Sequence, residues 1–124
     1  MAGFLSGKDN LPELFISSPA IRAYSTALLF AQQLNYHPEN IVLKDAIYDA
    51  PLKKLYRVMQ ETNDQYTSVA LFGHNPGFTD LLNDLCGFTI DNIPTSGIAC
   101  VSLKSSSWSK INSGDGKLLY IKYP

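Results

Sequence analysis

The stretch "ALFGHNPGFTDLLNDLCG", residues 70–87, passes from an apolar run through a turn containing glycine, histidine and proline into an amphipathic pattern. The apolar residues 68–72 predict a short buried strand, and residues 76–86 predict a helix that ends at Gly87. His74 lies between these two elements. The stretch therefore predicts a strand, a tight turn and a helix, with an imidazole where the strand gives way to the helix.

The same order of strand and helix occurs twice before this stretch. The predicted pairs are a strand at 13–17 with a helix at 20–34, and a strand at 41–48 with a helix at 51–62. Strands that alternate with helices favour an α/β fold with a mostly parallel sheet flanked by helices. The apolar residues of the first helix that should face the core are Ile21, Ala27, Leu28, Ala31 and Leu34.

The end of the chain has a different pattern. Residues 97–103 and 117–123 are apolar runs on either side of a polar, serine-rich loop. They predict a C-terminal antiparallel hairpin on an edge of the sheet. A length of 124 residues and a hydrophobic content of 45% predict a single domain over residues 1–124.

The charge and composition of the chain limit the classes of function that are expected. The chain has 10 Lys and Arg against 11 Asp and Glu, a net charge of -1, with no run of like charge. Binding to nucleic acid or to a membrane surface is not expected, because either would need a basic face. No apolar run approaches the roughly 20 residues that cross a bilayer, and no leader is recognised. Cys86 and Cys100 lack metal-binding spacing, so buried, reduced thiols and a cytoplasmic location are predicted.

The first strand-to-helix junction lies in "FISSPAIRA", residues 15–23. Ser18 is the predicted N-cap and Pro19 the predicted first helical residue, which places Arg22 in the opening turn. A cation at a helix N-terminus opposes the helix dipole. A bound anion would remove this conflict, so the junction indicates an anion site.

His74 and Asn75 form the corresponding junction after the strand at 68–72, with Asn75 as the predicted cap. Asn75 stands where a Gly-x-Ser-x-Gly nucleophile elbow has its serine, so serine-hydrolase chemistry is not supported. Ligands of parallel sheets bind at the carboxyl ends of the strands, so Arg22 and His74 are expected at one edge. Arginine can bind phosphoryl oxygens in a bidentate way, and imidazole can donate a hydrogen bond or exchange a proton. The pair therefore favours a phosphoryl site.

Three segments in this order, residues 17–27, 70–87 and 93–103, resemble the SixA-like phosphohistidine phosphatases of the histidine phosphatase superfamily, which has the phosphoglycerate-mutase-like fold. The resemblance implies a pocket of two arginines and two histidines. One histidine attacks phosphorus, and water then releases phosphate without a metal or cofactor. It assigns Arg22 and His74 as catalytic, phosphate-binding residues. The other implied phosphate-binding residues are Ser18, Asn75, Thr95 and Ser96.

The sequence departs from the family pattern at the nucleophile. The family's nucleophile lies in an Arg-His-Gly motif after the first strand, and this sequence contains no Arg-His pair. Its other histidine, His37, lies in a turn where a solvent-facing side chain is predicted. Residues 1–7 resemble the end of a helix that is capped by Gly7. The domain is therefore predicted to be N-terminally truncated, without the first strand, the nucleophile and one phosphate-binding arginine.

Two functions stay open. The first is metal-independent hydrolysis of phosphohistidine or a related phosphoester through a phosphohistidine intermediate, with this chain inactive by itself. The alternative is a non-catalytic phosphate- or anion-binding regulatory domain of the same fold. Asp49 is the carboxylate nearest the expected edge, although a solvated loop aspartate is the simpler interpretation. The expected partners are a phosphorylated substrate and, through an exposed sheet edge, another copy of the chain.

Overall fold

The computed structural model describes residues 12–91 and 97–122. The helices are α1 (Ile21–Leu34), α2 (Leu52–Gln60) and α3 (Gly77–Cys86). The strands are β1 (Leu14–Ser17), β2 (Val42–Leu43), β3 (Val69–Phe72), β4 (Ile98–Leu103) and β5 (Gly116–Lys122). Short 3-10 turns lie at Pro38–Asn40, Asp45–Ile47 and Trp108–Lys110. Of the described residues, 12–48 and 65–74 form one compact unit, and 49–64, 75–91 and 97–122 form a second.

The first unit contains a parallel sheet of three strands in the order β2–β1–β3. All four residues of β1 are buried, as expected of a central parallel strand. At the carboxyl end of β1, Ser17 is in register with Leu43 on one side and Phe72 on the other. The Ser18 N–H then donates to the Phe72 carbonyl at 2.9 Å. The chain therefore leaves β1 and β3 at the same edge of the sheet, as predicted.

Helix α1 packs on β1 and β3 through small residues. Its buried residues, spaced four apart, are Ala23, Ala27 and Ala31. Their small side chains let the helix lie close to Phe15 and Phe72, whose ring centroids are 5.3 Å apart. Ile21 was predicted in the core but is 83% exposed, so that prediction is wrong. It precedes Ala23 by two positions, about 200° around a helix of 3.6 residues per turn, and so faces away from the alanines.

Two boundaries in the first unit differ from the prediction. Helix α1 begins at Ile21 with Ala20 as its N-cap, rather than at Pro19 with Ser18 as the cap. The second strand covers only Val42–Leu43 of the predicted 41–48. It stops there because its neighbour β1 ends at Ser17. The Ser17 carbonyl accepts the N–H of Lys44, and β1 has no further residue with which the second strand could pair.

The second unit is built on α2 and α3, which pack against each other. The buried residues of these two helices are Leu55, Val58, Met59, Thr79, Leu81, Leu82 and Leu85. The Tyr56 hydroxyl donates to the Asp84 carboxylate, which links the two helices on their partly buried side. Gly87 ends α3 with a positive φ of 73°, as predicted from its sequence position. No helix among the described residues is long and apolar enough to cross a membrane.

Strands β4 and β5 form an antiparallel hairpin with an irregularity between Cys100 and Val101. Within the described residues they form a two-stranded sheet of their own, so the predicted hairpin is confirmed, but its predicted place on an edge of the parallel sheet is wrong. Cys86 and Cys100 are free thiols, but both are partly rather than fully buried. Burial raises the pKa of the Cys86 thiol, which disfavours the reactive thiolate.

Candidate functional site

Ser18 and His74 meet at the carboxyl ends of two adjacent strands. Ser18 follows β1 directly and is fully buried, with 0% exposure. His74 follows β3 after Gly73 and is partly buried. The His74 Nε2 and the Ser18 Oγ lie 2.9 Å apart, within hydrogen-bond distance. A buried hydroxyl at the end of β1 thus anchors the partly buried imidazole at the end of β3.

A second side chain, Tyr48, also holds the His74 ring. The two ring centroids lie 5.6 Å apart, and the planes are inclined by 78°, an edge-to-face arrangement. Tyr48 is 62% exposed and directly follows the 3-10 turn at Asp45–Ile47. The sequence analysis did not identify Tyr48, because no motif or spacing links it to His74. Only the folded chain brings the two rings together.

Arg22 is the second residue of α1 and so lies in its opening turn, as the sequence predicts, and its side chain is exposed. The first turn of α1 contains no acidic residue, and the N-cap Ala20 has no side chain that could bond the free amides. Among the described residues the Arg22 guanidinium has no hydrogen-bond or ion-pair partner. A cation at an uncapped helix N-terminus is electrostatically unfavourable unless an anion joins it. The opening turn of α1 is therefore suited to a negatively charged ligand.

The N-cap of α3 is Pro76, since that helix begins at Gly77, so the predicted N-cap at Asn75 and the predicted start at Pro76 are each one residue too early. The Asn75 Oδ1 accepts the Thr79 N–H at 3.2 Å and the Thr79 hydroxyl at 2.8 Å. The Asn75 side chain therefore bonds the first turn of the helix from the position before the N-cap. Asn75 itself is exposed. Its contribution to phosphate binding stays a prediction.

The remaining candidates differ in position. Thr95 and Ser96 lie outside the described residues. His37 faces solvent, as predicted, with 76% of its side chain exposed and its Nδ1 3.7 Å from the Glu39 carboxylate. Asp49 is exposed and has a positive φ of 47°, a left-handed conformation that aspartate tolerates. Of the predicted site residues that are described, Ser18 and His74 are in direct contact, and Arg22 has no contact with either of them.

Solved structures similar to this chain are SixA proteins. A protein from Agrobacterium tumefaciens assigned as the phosphohistidine phosphatase SixA aligns with a TM-score of 0.79 and 23% identity, covering 99% of this chain and 75% of that one. The protein histidine phosphatase SixA complexed with tungstate aligns with a TM-score of 0.78 and 27% identity, covering 97% and 74%. A SixA protein from Nakamurella multipartitia aligns with a TM-score of 0.68 and 13% identity, covering 99% and 77%.

These alignments confirm the predicted resemblance: the chain has the α/β fold of SixA-type phosphohistidine phosphatases, with a parallel sheet, flanking helices and a C-terminal hairpin. No protein-family model and no curated protein matches the sequence at a significant level.

Proposed function

We propose that this chain forms the greater part of a phosphatase domain that acts on phosphohistidine or a related phosphoester. The observation that carries the proposal is the edge where β1 and β3 end. There His74 is anchored by Ser18 at 2.9 Å, and α1 opens with the Arg22 cation, which has no partner within the described part of the chain, on a first turn without a side-chain cap. The fold is similar to that of a histidine phosphatase that binds tungstate, an analogue of phosphate.

The proposed roles follow from the chemistry of each group. Arg22 binds two phosphoryl oxygens through its planar guanidinium, and the free amides at the start of α1 add positive potential. His74 donates a hydrogen bond to the phosphoryl group or exchanges a proton with it. Asn75, Thr95 and Ser96 are proposed to complete the phosphate-binding wall. None of these roles requires a metal or an organic cofactor.

The nucleophile is the open part of the proposal. Covalent phosphoryl transfer through histidine needs an unprotonated imidazole in line with the leaving group. The sequence has two histidines, of which His37 faces solvent and His74 is matched to the second, non-nucleophilic histidine of the family. We therefore propose that an Arg-His-Gly segment outside these 124 residues supplies the nucleophile and a second arginine in an active enzyme.

The alternative function is a non-catalytic domain that binds phosphate or another anion and regulates a partner. The lack of any Arg-His pair in the sequence favours this alternative. Both functions need the anion site at Arg22 and His74, but only the first needs turnover. Binding and hydrolysis must therefore be measured separately.

Tungstate titration by calorimetry tests the anion site. Arg22 and Arg57 are the two arginines of the sequence, and Arg57 is exposed in the last turn of α2, so Arg57→Ala is a matched control. Removing a charged hydrogen-bonding group costs about 1.5–3 kcal/mol. The affinity of Arg22→Ala should therefore fall about tenfold or more, while Arg57→Ala should bind as the wild type does. Equal affinity in the two variants would remove Arg22 from the site and contradict both functions.

A further inference from the structure

We infer that Ser18 is a positioning residue that holds the neutral His74 imidazole in the Nδ1–H tautomer, so that the Nδ1 side of the ring, not the Nε2 side, faces a ligand. The inference concerns how His74 works in the proposed phosphoryl site, and it rests on the proposed function only for the identity of that ligand. The tautomer itself can be tested without any ligand.

The hydrogen bonds of Ser18 determine the direction of the bond to His74. The Ser18 Oγ accepts the Ala20 N–H at 3.2 Å, and the residue is fully buried. Among the described residues the only acceptor within reach of its hydroxyl proton is the His74 Nε2, at 2.9 Å. If Nε2 carried the proton instead, the Ser18 hydroxyl would be a buried donor without an acceptor. A buried donor without an acceptor is unfavourable, because it loses its hydrogen bond to water and gains none in the protein.

The hydrogen bond from Ser18 to Nε2 also determines the protonation state of Nδ1. A neutral imidazole carries one proton, so an Nε2 that accepts from Ser18 leaves the proton on Nδ1. Among residues 12–91 and 97–122, no partner is recorded for that nitrogen. Nδ1–H is therefore available to donate to an anion that binds where β1 and β3 end.

Tyr48 limits the rotation of the ring that would move Nε2 away from Ser18 and put a ring carbon in its place. Its edge-to-face contact, with ring centroids 5.6 Å apart, adds to the hydrogen bond from Ser18. Two contacts of different kinds thus fix the ring. A ring flip would break the short bond to Ser18 and leave the buried hydroxyl unpaired.

Ser18 is not a nucleophile in this arrangement, although a serine bonded to a histidine nitrogen is typical of serine hydrolases. A nucleophilic oxygen must be reachable by substrate, and Ser18 is 0% exposed. One lone pair of its oxygen is also occupied by the Ala20 N–H. The pair therefore orients an imidazole and does not activate a hydroxyl.

Proton–nitrogen correlation NMR on isotope-labelled protein tests the inference, because the two ring nitrogens of a neutral imidazole have different shifts according to which is protonated. The sequence has two histidines, so His37→Gln assigns the spectrum. At a pH where His74 is neutral, the wild type should show a majority of the Nδ1–H tautomer. Free histidine favours Nε2–H, and Ser18→Ala should shift the majority of His74 to that form.

Ser17→Ala is the matched control. Ser17 is equally buried, at 0% exposure, and its hydroxyl donates to the Ser18 carbonyl at 2.8 Å rather than to His74. This variant should retain the Nδ1–H majority, and Ser18→Thr, which keeps a hydroxyl, should retain it also. An Nε2–H majority in the wild type, or an unchanged tautomer in folded Ser18→Ala, would overturn the inference. If Ser18→Ala does not fold, the wild-type spectrum decides alone. The tungstate result for Arg22 is independent of this outcome.

Discussion

The side-chain oxygen of Asn75 accepts two hydrogen bonds from Thr79, one from the backbone and one from the hydroxyl. Both satisfy groups in the first turn of α3, where amides otherwise lack partners. The same residue was matched to the phosphate-binding wall of the family. Its role in helix stability and its role in binding can be separated, because a carboxylate replaces the amide oxygen in the first role but repels an anion in the second.

Asn75→Ala is expected to lower the free energy of unfolding by about 1 kcal/mol, as for loss of a typical helix cap. Asn75→Asp should keep the stability of the wild type, since its carboxylate accepts the same bonds and favours a helix N-terminus. Urea unfolding of the three proteins checks this expectation. If Asn75 also binds phosphate, Asn75→Asp will weaken tungstate binding without a loss of stability. Wild-type stability in Asn75→Ala would contradict the capping role.

At the residue scale, the sequence identifies the groups but not their contacts. His74 and Ser18 are predicted as site residues because each follows an apolar strand and precedes a helix. Their hydrogen bond could not be predicted, since it depends on the register that places Ser17 beside Phe72. Ser18 looks like a helix cap in the sequence, yet its hydroxyl is used by Ala20 and His74. Tyr48 has no sequence signal at all, because its role exists only through the edge-to-face contact with the folded ring.

At the element scale, α3 has a glycine at each end, and the two have different physical reasons. A Cβ on Gly77 would lie 2.9 Å from the Ala50 carbonyl oxygen and 3.4 Å from the Leu55 side chain. Gly87 has open space around it but a positive φ of 73°. The first glycine therefore allows a close approach between chain segments, and the second allows the left-handed turn that ends the helix.

Alanine and asparagine are expected to change the stability differently at these two glycines. Gly87→Ala is expected to cost about 1 kcal/mol of stability, and Gly87→Asn less, since asparagine tolerates the left-handed region. Gly77→Ala should cost about 1–3 kcal/mol, because a backbone oxygen cannot move aside easily, and Gly77→Asn should be no better. Thermal unfolding of the four variants checks both patterns. If Gly77→Asn were more stable than Gly77→Ala while the two Gly87 variants did not differ, the physical reasons given for the two glycines would have to be exchanged.

The elements with strong local signals are those that the sequence predicts best. Strands β1 and β3 and the three helices have apolar runs or helical periodicity, and each lies within a few residues of its predicted bounds. Strand β2 is far shorter than predicted, because its length depends on where β1 ends. The hairpin is predicted correctly, but its separation from the parallel sheet depends on long-range pairing that no local pattern encodes.

At the scale of the whole molecule, the proposed site groups divide along the chain rather than cluster within one segment. Ser18, Arg22, Tyr48 and His74 belong to the first unit. Tyr48 and His74 are each the last residue of a first-unit segment. The fold of SixA-type phosphatases is shared along almost the entire chain, whereas the nucleophile motif has no counterpart in its sequence. We therefore expect this chain to bind an anion without hydrolysing a phosphorylated substrate.

The 124-residue chain is expected to bind tungstate but not to turn over a phosphohistidine peptide, because a pocket without a nucleophile offers only positioning and charge. A chain extended at its N-terminus by an apolar strand and Arg-His-Gly should gain both steady hydrolysis and stability if the proposed phosphatase is correct. Replacing the added histidine by alanine is the control, and it should abolish turnover while tungstate binding stays.

Release of phosphate from the peptide, together with thermal unfolding of the short and extended chains, measures both effects. Turnover by the 124-residue chain that is lost in His74→Ala would make His74 the nucleophile and contradict its assigned role. An extension that raises neither activity nor stability, in a chain that still binds tungstate through Arg22, would favour the regulatory anion-binding domain. If Arg22→Ala also bound tungstate as tightly as the wild type, the similarity to SixA would be one of fold alone.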